Sequence, residues 1–191
     1  MKDQSQYIIR GAQGDRELGA ILALQAENLG RNLTQTQRDQ HGFVTLEHHL
    51  DLLRSMNIPW HHSIAMQGED VVGYALVMAP ELSRTLPELV TLVERLQDLT
   101  HDGVQLANSR FYIMGQVCVA AGHRGQGLIA QLYQHQREQM APDFEYAVTD
   151  VNANNPRSLR AHERTGWKVI DRYEDDAQTW VMLLLPLAKP A

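Results

Sequence analysis

QVCVAAGHRGQGLIAQLYQ, residues 116–134, changes character twice. Val117-Cys118-Val119 is a short apolar, β-branched run of strand type. Gly122, Gly125 and Gly127 follow, and then Leu128, Ile129, Leu132, Tyr133 and Gln136 fall at helical spacing. A strand that passes through glycines into a helix start presents unpaired N–H groups. The helix dipole adds a partial positive charge there, and glycine admits an oxygen closely. His123 and Arg124 stand in the same turn. The stretch therefore reads as a seat for an anion.

On the turn alone, three readings compete. A Walker loop requires Lys and then Ser or Thr after its last glycine, where this chain has Leu128-Ile129. A dinucleotide fingerprint requires Gly-x-Gly-x-x-Gly. Here the order is inverted, Gly122-x-x-Gly125-x-Gly127, although Asp150 near the end of the next strand imitates the ribose-binding acid. The third reading is a tight turn that binds nothing.

Composition narrows the field. A net charge of −6 argues against a nucleic-acid partner, whose phosphate backbone needs a basic face. With 191 residues, one domain spanning 1–191 is expected. Cys118 is the single cysteine, so no internal disulfide forms. The polar start MKDQSQYIIRGAQGDRE does not resemble a signal peptide, and the longest apolar run, Trp180 to Leu185, is too short to span a bilayer. A cytoplasmic protein without a membrane partner is expected.

The remaining patterns give an order of elements. Strands are expected at 6–10, 61–66, 71–78, 110–119, 144–151 and in WKVIDRYE and TWVMLLL. Helices are expected at 15–29, at 45–56 with Thr45 as N-cap, at 86–99, after Gly127, and from Pro156 to the residues before Gly166. Together they predict a mixed α/β sheet flanked by helices.

A second motif, NNPRSLRAHERTGW at 154–167, lies one strand beyond the glycine turn. Asn155 before Pro156 is an N-cap signature, and Gly166 closes the helix. With VCV and RGQGLI upstream, this pair of motifs resembles the GNAT superfamily of acyl-CoA-dependent N-acetyltransferases. The matching positions are Val117 to Val119, Arg124 to Ile129, and Asn155, Ser158, His162, Gly166 and Trp167. Over Phe111 to Asp171 the order and spacing are kept. The resemblance implies a mostly antiparallel sheet splayed between strands Arg110–Val119 and Phe144–Val151. The helix near 81–108 reads as an insertion.

What the resemblance implies about function is concrete. The pyrophosphate of coenzyme A sits on the amides of Arg124, Gly125, Gln126, Gly127, Leu128 and Ile129. The pantetheine arm runs along Val117, Cys118 and Val119, and Asn155, Ser158 and His162 contact the cosubstrate. A bulge at Gly115-Gln116 splays the strands. A deprotonated primary amine, on a small molecule or a peptide, attacks the acetyl thioester directly, and a general acid protonates the thiolate. His162 stands where many members carry the acid tyrosine, and Ile129 replaces the usual Gly or Ala. A non-catalytic acyl-CoA-binding module is the alternative that the histidine suggests.

The other candidates have plainer readings beside their functional ones. Gln116, Asp150 and Tyr112 are expected on the acceptor side, or as sheet packing and a loop cap. Cys118 reads as a buried, inert thiol. Arg157 and Arg160 can approach the cosubstrate phosphates, with a solvated face as the plainer reading. The pairs His48-His49 and His61-His62 lack companion ligands, so no metal is expected. A homodimer is compatible with the pattern.

Overall fold

The computed structural model describes residues 7–84, 86–175 and 178–187. The chain runs β1 (Ile8–Gly11), α1 (Gly14–Asn28), α2 (Gln35–His41), α3 (Leu50–Met56), β2 (Ser63–Gln67), β3 (Asp70–Met78), α4 (Pro80–Ser83) and α5 (Val90–Leu96). A two-residue hairpin of β4 (Thr100–His101) and β5 (Val104–Gln105) follows. The second half runs β6 (Phe111–Val119), α6 (Leu128–Met140), β7 (Tyr146–Asn152), α7 (Pro156–Arg164), β8 (Lys168–Asp175) and β9 (Gln178–Pro186). Seven strands form one sheet in the order β1-β2-β3-β6-β7-β9-β8. β6 and β7 pair in parallel and the other neighbours antiparallel. This is the mixed, mostly antiparallel sheet expected. No helix among the described residues is long and apolar enough to cross a membrane.

Helices cover both faces. Leu18, Ile21 and Leu24 of α1, Leu53 and Met56 of α3, and Leu92, Val93 and Leu96 of α5 pack on one face. Leu128, Leu132, Tyr133 and Met140 of α6 pack on the other, with Trp167 after α7.

Three elements depart from the sequence reading. The helix expected from Thr45 begins only at Leu50, capped by His49. Buried side chains claim the backbone just before it: the His48 N–H donates to Gln25 Oε1 at 2.8 Å, and the Leu46 carbonyl accepts from Gln116 Nε2 at 2.6 Å. Helix α2 was not expected, because QTQRDQH has no apolar stripe. A reciprocal capping box of Thr34 and Gln37 starts it. The helix expected over 86–99 is shortened by Pro87, which opens a 3-10 turn at Pro87–Leu89 before α5. The polar tail after it turns the small hairpin at Asp102 and Gly103, both at positive φ.

The central feature lies on β6. Ala75 pairs with Val117 and Val77 with Met114, so Leu76 alone faces Gly115 and Gln116. That is a β-bulge, and it bends the strand and reverses the alternation of its side chains. Beyond the bulge β6 stays paired with β3. Its pairing with β7 covers Phe111↔Tyr146, Tyr112↔Ala147 and Ile113↔Val148 and then stops. β7 meanwhile stays paired with β9 as far as Asn152↔Trp180. A gap therefore opens between two strands that are each held on their outer side.

A Cβ on Gly115 would lie 3.2 Å from the Leu76 Cβ. Gly115→Val is expected to cost about 1–3 kcal/mol in urea unfolding, by overpacking the bulge.

Candidate active site

Two cavities meet at the gap. One, of about 350 Å³, lies by the glycine turn. The other, of about 760 Å³, lies under the segment between β3 and β6. Phe43, Val44, Val117, Asn155 and Ser158 line both. Asn155 holds this junction. Its Oδ1 caps α7 by accepting the Ser158 N–H at 3.2 Å, and its Nδ2 donates to the Phe43 carbonyl at 2.8 Å.

The smaller cavity is basic. Gly125 and Gly127 adopt positive φ of 77° and 74°, a conformation that a side chain disfavours. Nothing lies within 4 Å of where a Cβ would be on either residue, so the turn is open above its backbone. α6 begins at Leu128 without a side-chain cap, which leaves its first amides for a ligand. Arg124, Arg157, Arg160 and Arg164 line the wall, and no Asp or Glu does among the described residues. The arginines of α7 recur at three- and four-residue steps, so they share one face. Sequence reading favoured a solvated face for Arg157 and Arg160 and did not consider Arg164. The spacing was the signal that places them together. Leu128, Ile129, Cys118 and Val119 also line this cavity, whereas the Gln126 side chain is exposed and does not. Arg124 turns back: its Nε donates to the Val119 carbonyl at 3.1 Å and its Nη2 to Asn28 Oδ1 at 2.7 Å. Burial pushes the Cys118 thiol up to about 12, so it is no nucleophile.

The larger cavity is acidic. Glu88, Asp150 and Asp175 line it, and no Lys or Arg does among the described residues. Asp150 is half-buried at its wall, with Oδ1 fully enclosed. Tyr173 donates its hydroxyl hydrogen to Oδ2, and Oδ1 has no hydrogen-bond partner among the described residues. Burial raises the carboxyl to about 7. The Tyr173 hydrogen bond opposes that rise, and the charge of Asp171 adds to it. Such a group gives and takes protons near neutral pH.

A splayed sheet with a phosphate-type turn at one end of the gap is the arrangement that the two motifs suggested. The sequence profile of the acetyltransferase (GNAT) family matches residues 30–167. The chain belongs to that family. No curated protein matches the sequence. Solved structures do. The ribosomal-protein-S18-alanine N-acetyltransferase of Escherichia coli superposes with a TM-score of 0.61 at 10% identity, covering 97% of each chain. YncA of Salmonella typhimurium, solved with its cofactor acetyl-CoA, gives 0.62 at 15%, covering 98% of this chain and 97% of that one. The NatC complex bound to Gag peptide and CoA gives 0.62 at 14%, covering 96% and 99%. At these identities the likeness is one of fold.

Within this acetyltransferase, several candidate residues sit differently from expectation. His162 is buried, and both its ring nitrogens are engaged. Nδ1 lies 2.8 Å from the Ser158 carbonyl, to which it can only donate; Nε2 therefore accepts the Tyr133 hydroxyl at 2.9 Å. Burial pushes its pKa down to about 4. The imidazole is neutral and has no free N–H for a leaving group. Tyr112 lies on the opposite face, with its hydroxyl on Gln136 of α6; the bulge reverses the alternation between Tyr112 and Gln116, so the two do not share a face. Gln116 does line the acidic cavity, but its amide is committed. Oε1 accepts from Gln25 Nε2 at 2.9 Å and the Tyr74 hydroxyl at 3.2 Å, and Nε2 holds the Leu46 carbonyl. It fastens the 43–49 wall to the bulge. Sequence reading missed Gln25, although a glutamine on the apolar face of α1 was a visible signal. It also missed Tyr173, whose position depends on the β8–β9 register.

The His162 ring protons are expected to hold one NMR shift from pH 5.5 to 8. His162→Phe is expected to cost about 1–3 kcal/mol of stability, because it strands the Tyr133 hydroxyl.

Proposed function

We propose that the protein transfers the acetyl group of acetyl-CoA to a primary amine by direct attack. The observation that carries this reading is the gap between β6 and β7, with a basic cavity on one side and an acidic one on the other. The residues present fit the cosubstrate. Open glycine amides and four arginines suit its phosphates, and the unpaired edge of Val117 to Val119 suits its amide-bearing arm. Bound acetyl-CoA supplies an activated acetyl thioester. In this reading residues 1–191 form one domain, and the insertion at 81–108 roofs the acceptor side.

The chain's own work is positioning and proton transfer. The acidic wall draws in an ammonium group, and the Asp150 carboxylate removes its proton to free the lone pair. Tyr173 fixes the carboxylate's orientation. The nitrogen's second proton, shed as the amide forms, goes to the departing sulfur. Backbone N–H groups freed by the bulge face the reacting carbonyl. His162 serves as a packed residue that supports α7.

Acetyl-CoA and CoA, but not NAD or ATP, are expected to raise the melting temperature, and amines are expected to release thiol from acetyl-CoA. A shift with acetyl-CoA and no thiol release over a broad amine panel would instead assign a binding module. The double variant Arg157→Glu, Arg160→Glu is expected to weaken acetyl-CoA binding about tenfold at low salt, and less at high salt.

Asp150→Asn is expected to lower kcat about 100-fold. The wild-type rate should rise with pH through about 7, and the variant should lose that limb. Stability should move the other way. The folded pKa of about 7 lies above the ordinary 3.8, so wild-type stability falls as pH climbs between them and stays low above. By calorimetry, the variant should gain about 1–3 kcal/mol over wild type at pH 8 and little at pH 4.

A further inference from the structure

We propose that the acceptor is a small di- or polyamine without a carboxylate, its reacting nitrogen at Asp150 and a second ammonium group between Asp175 and Glu88. This rests on the acetyl-transfer reading above and specifies its acceptor.

The charge of the larger cavity selects the class. Glu88, Asp150 and Asp175 line it without a lysine or arginine among the described residues. Its two histidines are uncharged. His162 is neutral as described. For His48, the Gln25 amide is oriented by the His48 N–H on its Oε1, so its Nε2 donates to His48 Nδ1 at 2.8 Å. That leaves the other ring nitrogen carrying the proton, and burial holds the pKa near 4. A substrate carboxylate entering here would meet three carboxylates and no cation in the lining; Arg95, stacked behind Tyr173 at 5.0 Å, is already held by Asp171.

The pattern of pairing sharpens this. Asp171, on the same strand as Asp175, is neutralised by Arg95 at 2.5 Å. The three cavity carboxylates have no such ion pair among the described residues. Among the described residues, Asp150 keeps an unpartnered buried oxygen, Asp175 accepts the Thr91 hydroxyl at 2.7 Å and no other hydrogen bond, and Glu88 makes no ion pair. The chain has matched the acid outside the cavity and left the ones inside for a ligand.

The spacing asks for two charges on one molecule. On β9, Asp150 of β7 stands opposite Met182 and Asp175 of β8 opposite Gln178, which offsets them by ~13 Å along the sheet with β9 between their strands. Between them Tyr173 pairs with Trp180, and Leu89, Val90 and Leu92 face them from the roof. Aromatic and aliphatic surface between two anionic ends suits methylenes between two ammonium groups. The roof is tied to β8 through Thr91–Asp175 and Arg95–Asp171. The cavity is thus bounded at about 760 Å³, a small-molecule volume.

The test is thiol release from acetyl-CoA with 1,5-diaminopentane, pentylamine, lysine and a hexapeptide with a free N-terminus. The diamine differs from pentylamine by one ammonium and from lysine by one carboxylate. Its kcat/KM is expected to exceed that of pentylamine about tenfold and that of lysine about 100-fold. Asp175→Asn with Glu88→Gln should cut the diamine-over-monoamine ratio to about threefold or less. The asparagine can still accept the Thr91 hydroxyl, which favours folding of the variant. Lysine or the peptide matching the diamine would overturn the proposal, as would a ratio that survives the double variant. Absence of any thermal shift with CoA would remove the donor reading itself. CoA binding, with acetylation of other amines but not the diamine, would remove this inference alone.

Discussion

A buried backbone N–H or C=O must find a partner, and this fold leaves a row of them unpaired in the middle of its sheet. β6 and β7 share three residue pairs and then separate, while β3 and β9 hold their outer sides. An interior gap of this kind is stable only because each strand is anchored elsewhere. It is completed when something strand-like lies in it. The bulge at Gly115-Gln116 produces the separation, and the glycine turn lies directly at the end of the freed strand. The site is thus a consequence of where sheet pairing stops.

Side chains then divide the gap by charge. Arginines from α7 and the turn gather on one side, and carboxylates from β7, β8 and the roof on the other. Asn155 lines both halves with neutral hydrogen bonds, and Gln116, clustered with Gln25 and Tyr74, lines the acidic one. That buried polar cluster also explains why residues 45–49 stay out of helix. Their backbone groups have better-placed partners in side chains from α1 and β6.

The basic half was legible in the sequence because local backbone chemistry builds it. Glycines at positive φ, an Asn-Pro cap and a strand-to-helix turn are all written in consecutive residues. Most of the succession of strands and helices followed from periodicity in the same way. The acidic half was not legible, because it is assembled from distant segments. Asp150 could be suspected, but its partner Tyr173 depends on a register slip at Val169/Asp171 in the β8–β9 pairing. His162 misled for a related reason. The motif gave its position, while the Tyr133 hydroxyl that occupies its second ring nitrogen comes from another helix. Tyr112 was misassigned because strand parity fails at a bulge.

The excursion from Met78 to Phe111 leaves and re-enters the sheet at neighbouring strands. Closing a loop costs only slowly more as it lengthens, so this segment can change length and outer side chains as long as Leu92, Val93 and Leu96 still cover the sheet. The glycine turn has no such latitude, since main-chain amides and glycine dihedrals cannot be retuned by exchanging side chains. A lineage built on this plan can therefore change what it acetylates by rewriting one surface excursion, while the donor it draws on stays constant.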